Sequence, residues 1–216
     1  MLDRFVADMH GSPDGDLILC HADGMAYQAD RGAVVDYGAP YFVKCAAYEG
    51  TPIEEEINAG RVSLVQRWIG RSAVLDIGVG SGAFILRHGN AMGVDVNPTA
   101  IEWLRGRKLL ARGLGEFAGY TFWDVIEHLP DPEAYLQHVR LHAFVFASIP
   151  VFDSLDNIRS SKHYRPGEHL YYWTEDGFVA WMALHGFRCL ERTDFETRAG
   201  RESIVDFAFE RWRRAG

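Results

Sequence analysis

An apolar run that ends in an acid and opens into alternating glycines, Ala73-Val74-Leu75-Asp76-Ile77-Gly78-Val79-Gly80-Ser81-Gly82-Ala83-Phe84, constrains this chain more than any other feature. An aliphatic run of this length fits a buried parallel strand. Glycines directly after it let the backbone turn tightly and come close to a ligand. The helix expected next aims its free amide N–H groups at that ligand. The chain therefore reads as an α/β protein that binds a nucleotide-like cofactor.

Gly78-x-Gly80-x-x-Ala83 also satisfies the dinucleotide fingerprint of NAD enzymes. Three features separate the two readings. Asp76 stands two residues before the first glycine, where a carboxylate suits a cationic amino acid moiety and would repel a pyrophosphate. Gly93-Val94-Asp95-Val96-Asn97 places an acid where a second strand ends, positioned to accept both hydroxyls of a ribose. Thr121-Phe122-Trp123-Asp124-Val125-Ile126-Glu127-His128-Leu129-Pro130-Asp131-Pro132 reads as a strand, an acidic loop and a helix-opening proline. A dinucleotide domain has no particular need for that loop.

Taken together, Asp76 to Gly82, then Asp95, then Trp123 to His128 resemble the first, second and fourth motifs of class I S-adenosylmethionine-dependent methyltransferases. The resemblance runs from about Val65 to the C-terminus. It implies a Rossmann-like doubly wound α/β sheet, mostly parallel, closed by a C-terminal antiparallel hairpin. It also implies S-adenosylmethionine as cofactor, with Asp76, Gly78, Gly80 and Gly82 at the methionine part, Asp95 on the ribose, and Asp124 and Val125 as the wall beside the amino acid. The family's third strand, with its acid for the adenine amino group, has no clear counterpart between Gly113 and Gly119; Glu116 is the one acid there.

At 216 residues and 48% hydrophobic content the chain can bury a substantial core. No apolar run reaches bilayer length, and Met1-Leu2-Asp3-Arg4 lacks a signal-peptide pattern, so the cytoplasm is the expected compartment. Cys20, Cys45 and Cys189 contain no CxxC, which points to reduced thiols and not to a disulfide framework or a zinc ribbon. A formal charge of -8 repels phosphate backbones and argues against broad nucleic-acid binding.

The expected organisation is an N-terminal extension over residues 1–60 and a methyltransferase domain over 61–216. In the extension, Gly15 to Cys20 and Met25 to Gln28 flank Ala22-Asp23-Gly24 as a small hairpin. Helices beginning near Tyr41 and at Pro52 are expected to cover the cofactor, with Tyr41 and Lys44 reaching its carboxylate. Further helices are expected over Pro98–Ala111, Pro132–His142 and Phe178–His185. Phe144 to Pro150 reads as a fifth strand, and Phe187 to Arg192 and Ser203 to Phe209 as the closing hairpin.

Val151 to Trp173 is rich in cations and aromatics and reads as a substrate-recognition loop. Methyl transfer requires an acceptor held in line with the sulfonium, and a base only where the acceptor must lose a proton. His128 is the leading candidate base, Glu127 can orient it, and His163 is the third catalytic candidate. Glu127, His128, His163 and His169 carry donors that suit divalent ions, and the Glu-His pair resembles that of quinone-type methyltransferases, but no ligand spacing assigns a metal. The reading is methyl transfer to an oxygen or nitrogen of a small molecule. The alternatives are a nucleic-acid base methyltransferase, which lacks its Asn/Asp-Pro-Pro-Tyr or Pro-Cys motif here, and a noncatalytic cofactor-binding scaffold.

Overall fold

The computed structural model describes residues 10–11, 17–29, 42–43 and 47–213. Tyr41 and Lys44 lie outside them. In chain order, strands β1 (His10–Gly11), β2 (Leu17–Cys20) and β3 (Met25–Gln28) precede helix α1 (Pro52–Ile69). Next come β4 (Val74–Ile77), α2 (Ala83–His88), β5 (Ala91–Val94) and α3 (Pro98–Gly106). Then follow β6 (Gly119–Trp123), α4 (Pro132–Leu136), β7 (Phe144–Pro150) and β8 (Tyr171–Trp173). The chain closes with α5 (Glu175–Leu184), β9 (Phe187–Thr193), α6 (Phe195–Arg198) and β10 (Ile204–Arg211).

The main sheet has six strands in the order β5-β4-β6-β7-β10-β9. The first four are parallel, and β10 runs antiparallel to both β7 and β9. Every residue of β4 and of β6 is buried, as a strand covered on both faces must be. On one face Leu75, Ile77 and Phe122 pack with Phe178, Trp181, Phe207 and Phe209. On the other, Leu64 and Val65 of α1 pack with Val74, Phe84 and Phe146. Each such side chain contributes about 1.5–3 kcal/mol on burial.

The helices begin where their capping chemistry dictates. Thr51 accepts from the Glu54 amide ahead of Pro52, Asn97 from Thr99 ahead of Pro98, and Asp131 from Ala134 ahead of Pro132. Two end earlier than their apolar spacing suggests. The helix expected to Ala111 stops at Gly106, because Lys108 turns left-handed (φ 60°) and the next residues join the sheet edge. There Gly93 N–H donates to the Leu109 carbonyl, and Ala111 N–H donates to that of Gly93. This single parallel bridge stands where the family's third strand would run. The helix expected to His142 stops at Leu136; Val139 and Ala143 are buried instead, and His142 is left-handed at φ 65°.

A second sheet, β1-β2-β3-β8, joins the N-terminal hairpin to the far half of the chain. Met25, Ala26 and Tyr27 pair with Trp173, Tyr172 and Tyr171. Helix α1 runs across residues 60 and 61, where the sequence pattern suggested a division. The segment after β7 is thus not an open loop: Phe152, Leu155, Ile158, Tyr171, Tyr172 and Trp173 are buried. Phe152, Tyr171, Tyr172 and Trp173 build strand and core. Among the described residues no helix is long and apolar enough to cross a membrane.

Candidate functional site

The glycine turn leaves the C-terminal end of β4 with left-handed backbone at Gly78, Gly80 and Gly82 (φ 73°, 54° and 83°). These angles strain any residue with a Cβ. A Cβ on Gly78 would also stand 2.6 Å from Val125 Cγ2, and one on Gly82 would stand 2.2 Å from the Trp103 ring. A Cβ on Gly80 would meet no atom of the described residues within 4 Å. Among the described residues the turn is therefore packed at both ends and open in the middle, as a cradle for a ligand requires.

Two carboxylates brace it. Asp95, at the end of β5, accepts from Val79 N–H at 2.9 Å and Asn97 N–H at 2.8 Å, one on each oxygen. Burial raises its pKa, and those amides oppose the shift. Asp76 faces Gly93 on one neighbouring strand and Thr121 on the other. It is 1% exposed, and Thr121 Oγ1 donates to it at 2.5 Å. Burial pushes its carboxyl up to about 7, the Thr121 hydrogen bond and Arg61 pulling the other way.

Beyond β6 the backbone of Asp124 is left-handed, at φ 56°, a conformation that non-glycine residues seldom adopt away from functional turns. Arg201 grips its carboxylate with two hydrogen bonds of 2.7 and 2.8 Å, and Arg61 adds a third at 3.0 Å. Burial disfavours the Asp124 anion, but Arg201 and Arg61 outweigh it and hold the carboxyl below its ordinary range. Arg61 also donates to fully buried Glu196 at 2.6 Å and to Ser148 Oγ at 3.3 Å, and lies 5.0 Å over the Trp123 ring. Burial, then the Glu196 charge, pushes the Asp206 carboxyl well above its ordinary range. Arg61, Glu196 and Arg201 carry no motif, and sequence reasoning misses them.

The next turn brings together Glu127, His128 and His169, whose ligand atoms all lie within 4.8 Å of one another. His128 Nδ1 lies 2.8 Å from the Glu168 carbonyl. A carbonyl only accepts, so Nδ1 carries the proton and Nε2 the lone pair. The His128 and His169 rings meet edge to face at 4.6 Å. Leu170 N–H donates to the Glu127 carbonyl at 2.8 Å, tying the two segments. Glu127 is 1% exposed and His169 is 4% exposed, and among the described residues neither Glu127 Oε2 nor His169 Nδ1 has a hydrogen-bond partner. Burial, then the Asp124 charge, drives the Glu127 pKa well up, while burial lowers that of His128. His169 is pushed down to about 3 by burial and by His128.

His163 is not among the three: its Nε2 meets the Glu202 carbonyl at 2.8 Å. Glu116 is exposed, 3.9 Å from Arg140, so nothing holds it toward a ligand.

A family model described as "Methyltransferase domain" matches residues 26–192. No curated protein matches the sequence. Among solved structures, a SAM-dependent methyltransferase of Thermotoga maritima is 14% identical with a TM-score of 0.57, over 80% of this chain and 97% of that one. The 1,6-didemethyltoxoflavin-N1-methyltransferase of Burkholderia thailandensis, solved with its substrate and S-adenosylhomocysteine, is 16% identical with a TM-score of 0.55, over 88% and 96%. The N-methyltransferase NodS of Bradyrhizobium japonicum is 17% identical with a TM-score of 0.53, over 76% and 99%. At these identities the likeness establishes a shared fold.

Proposed function

The chain belongs to the methyltransferase-domain family, and from that membership we propose that it moves a methyl group from S-adenosylmethionine to an oxygen or nitrogen of a small molecule. The observation that carries the reading is the meeting of two motifs 47 positions apart. Val125 fills the space a Cβ on Gly78 would need, so the glycine turn and the loop after β6 form one wall.

The cradle suits the cofactor. A Cβ on Gly80 would meet none of the described residues, Asp95 closes the end of β5 where a ribose would sit, and Asp76 lies buried behind the turn. When bound, S-adenosylmethionine supplies an electrophilic methyl on a sulfonium. The glycine turn and Asp95 would border and orient it, and a cationic ammonium opposite Asp76 would favour the charged form of that carboxylate. Asp124 acts through its backbone and through Val125, since Arg61 and Arg201 already occupy its carboxylate. Tyr41 and Lys44 stay candidates for the cofactor carboxylate. Where the acceptor has a proton to lose, His128 Nε2 takes it and Glu127 orients the imidazole. His163, the third catalytic candidate, stands outside that group with its Nε2 on the Glu202 carbonyl. The charge of -8 favours a small acceptor over a nucleic acid. Nitrogen acceptors come first in a screen, because two of the similar folds are N-methyltransferases.

Calorimetry with S-adenosylmethionine, S-adenosylhomocysteine and NAD tests the donor. Micromolar binding of the first two, about -8 kcal/mol, and its loss in Asp95→Ala is the expected result. Binding of NAD alone, or of none, overturns the reading.

A further inference from the structure

We propose that Glu127, His128 and His169 form a binding site for a divalent transition-metal cation at the end of β6. Their ligand atoms already lie within 4.8 Å of one another. Around a zinc ion with bonds of about 2.1 Å, tetrahedral ligand atoms stand roughly 3.4 Å apart. Side-chain shifts of about an ångström close the difference.

A second observation is independent of that spacing. Glu127 Oε2 and His169 Nδ1 are buried polar atoms without a hydrogen-bond partner among the described residues, a condition folded proteins rarely leave standing. His128 Nε2 stands 3.9 Å from the other Glu127 oxygen, Oε1, beyond hydrogen-bonding range. A cation accepts lone pairs from all three side chains at once. The surroundings are those of a held ligand: His128 Nδ1 donates to the Glu168 carbonyl, which fixes the ring and keeps the Nε2 lone pair inward. Tyr172 Oη donates to the His169 carbonyl at 3.1 Å, and Gln28 Nε2 donates to that hydroxyl at 2.8 Å, which pins the His169 backbone.

Two imidazoles and one carboxylate select zinc, manganese, cobalt or iron over magnesium or calcium, which take mostly oxygen ligands. Three protein ligands leave a position open to water or to a substrate oxygen or nitrogen. A cation on His128 Nε2 uses the lone pair that would otherwise take a proton, so occupancy and a base role for His128 exclude one another.

The full chain, stripped with chelator, is titrated with Zn²⁺ and with Mg²⁺ by calorimetry and with Co²⁺ by visible absorption. His169→Gln and Glu127→Gln are titrated in parallel, and circular dichroism reports folding. One Zn²⁺ per chain, a Co²⁺ ligand-field band, no competition from Mg²⁺ and at least tenfold weaker binding in each folded variant are expected. No uptake by the folded native chain, or native affinity in both variants, overturns the proposal. Should one variant fail to fold, the other decides. S-adenosylmethionine binding is measured on the same samples. Its loss with Zn²⁺ retained removes the donor reading alone, and the reverse removes the metal alone.

Discussion

The two turns that leave the C-terminal ends of β4 and β6 lie against each other, yet they are finished to different degrees. Around the glycine turn the acid is satisfied from within: both Asp95 oxygens accept backbone amides. In the turn after β6, Asp124 is over-supplied by two arginines, while Glu127 Oε2 and, beside that turn, His169 Nδ1 have no hydrogen-bond partner among the described residues. A turn complete in itself is built to be approached; one that leaves buried lone pairs unmet is built to be filled. Substitutions of Asp95 and of Glu127 should therefore move stability in opposite directions.

The largest effect is expected from breaking the over-supplied pair. Arg61→Met leaves Asp124 and Glu196 with less countercharge in a dry setting, and a loss of about 3–5 kcal/mol in urea unfolding is expected. A loss under 1 kcal/mol would mean that Arg201 alone carries the network. Next comes pH. Asp76 holds its proton up to about 7 in the fold, whereas an unfolded chain releases it near the ordinary value of about 3.9. The folded state thus binds more protons between those values, and its stability falls as pH rises from about 4 to 7, then levels. Asp76→Asn removes that slope. In cofactor-free protein its advantage over the native chain should grow by up to about 4 kcal/mol across the window, and a pH-independent difference would contradict the burial argument.

Smaller shifts probe the two acids directly. Asp95→Ala strips an acceptor from two amides and should cost about 2 kcal/mol. Glu127→Met, in metal-free protein, replaces an unsatisfied carboxyl with apolar volume and should gain about 1 kcal/mol. Equal signs for these two variants, read from paired denaturation curves, would erase the contrast between the turns.

Legibility follows the range of the interaction. Gly78, Gly80, Gly82 and Asp95 announce themselves because a turn and a strand end are local chemistry, and the hairpin of β9 and β10 because its link is short. Arg61 meets Glu196 across 135 positions and Arg201 meets Asp124 across 77, and no spacing rule reaches that far. Leu109 and Leu110 keep a helical period yet join the edge of β5, where tertiary pairing overrides the pattern. Leu170-Tyr171-Tyr172-Trp173 carried a usable signal, a run of strand-forming aromatics, that the charged residues before it obscured. His169 gains significance only beside that strand.

The pairing of β3 with β8 also sets a timetable. During synthesis the residues of β4 to β7 leave the ribosome well before Tyr171–Trp173, and Met25–Tyr27 must wait for those partners. Contacts so distant in sequence close late. The parallel half, with its glycine turn, can condense while His169 is still unplaced. A chain interrupted near Pro150 would carry the residues of the glycine turn without the histidine that completes its neighbour.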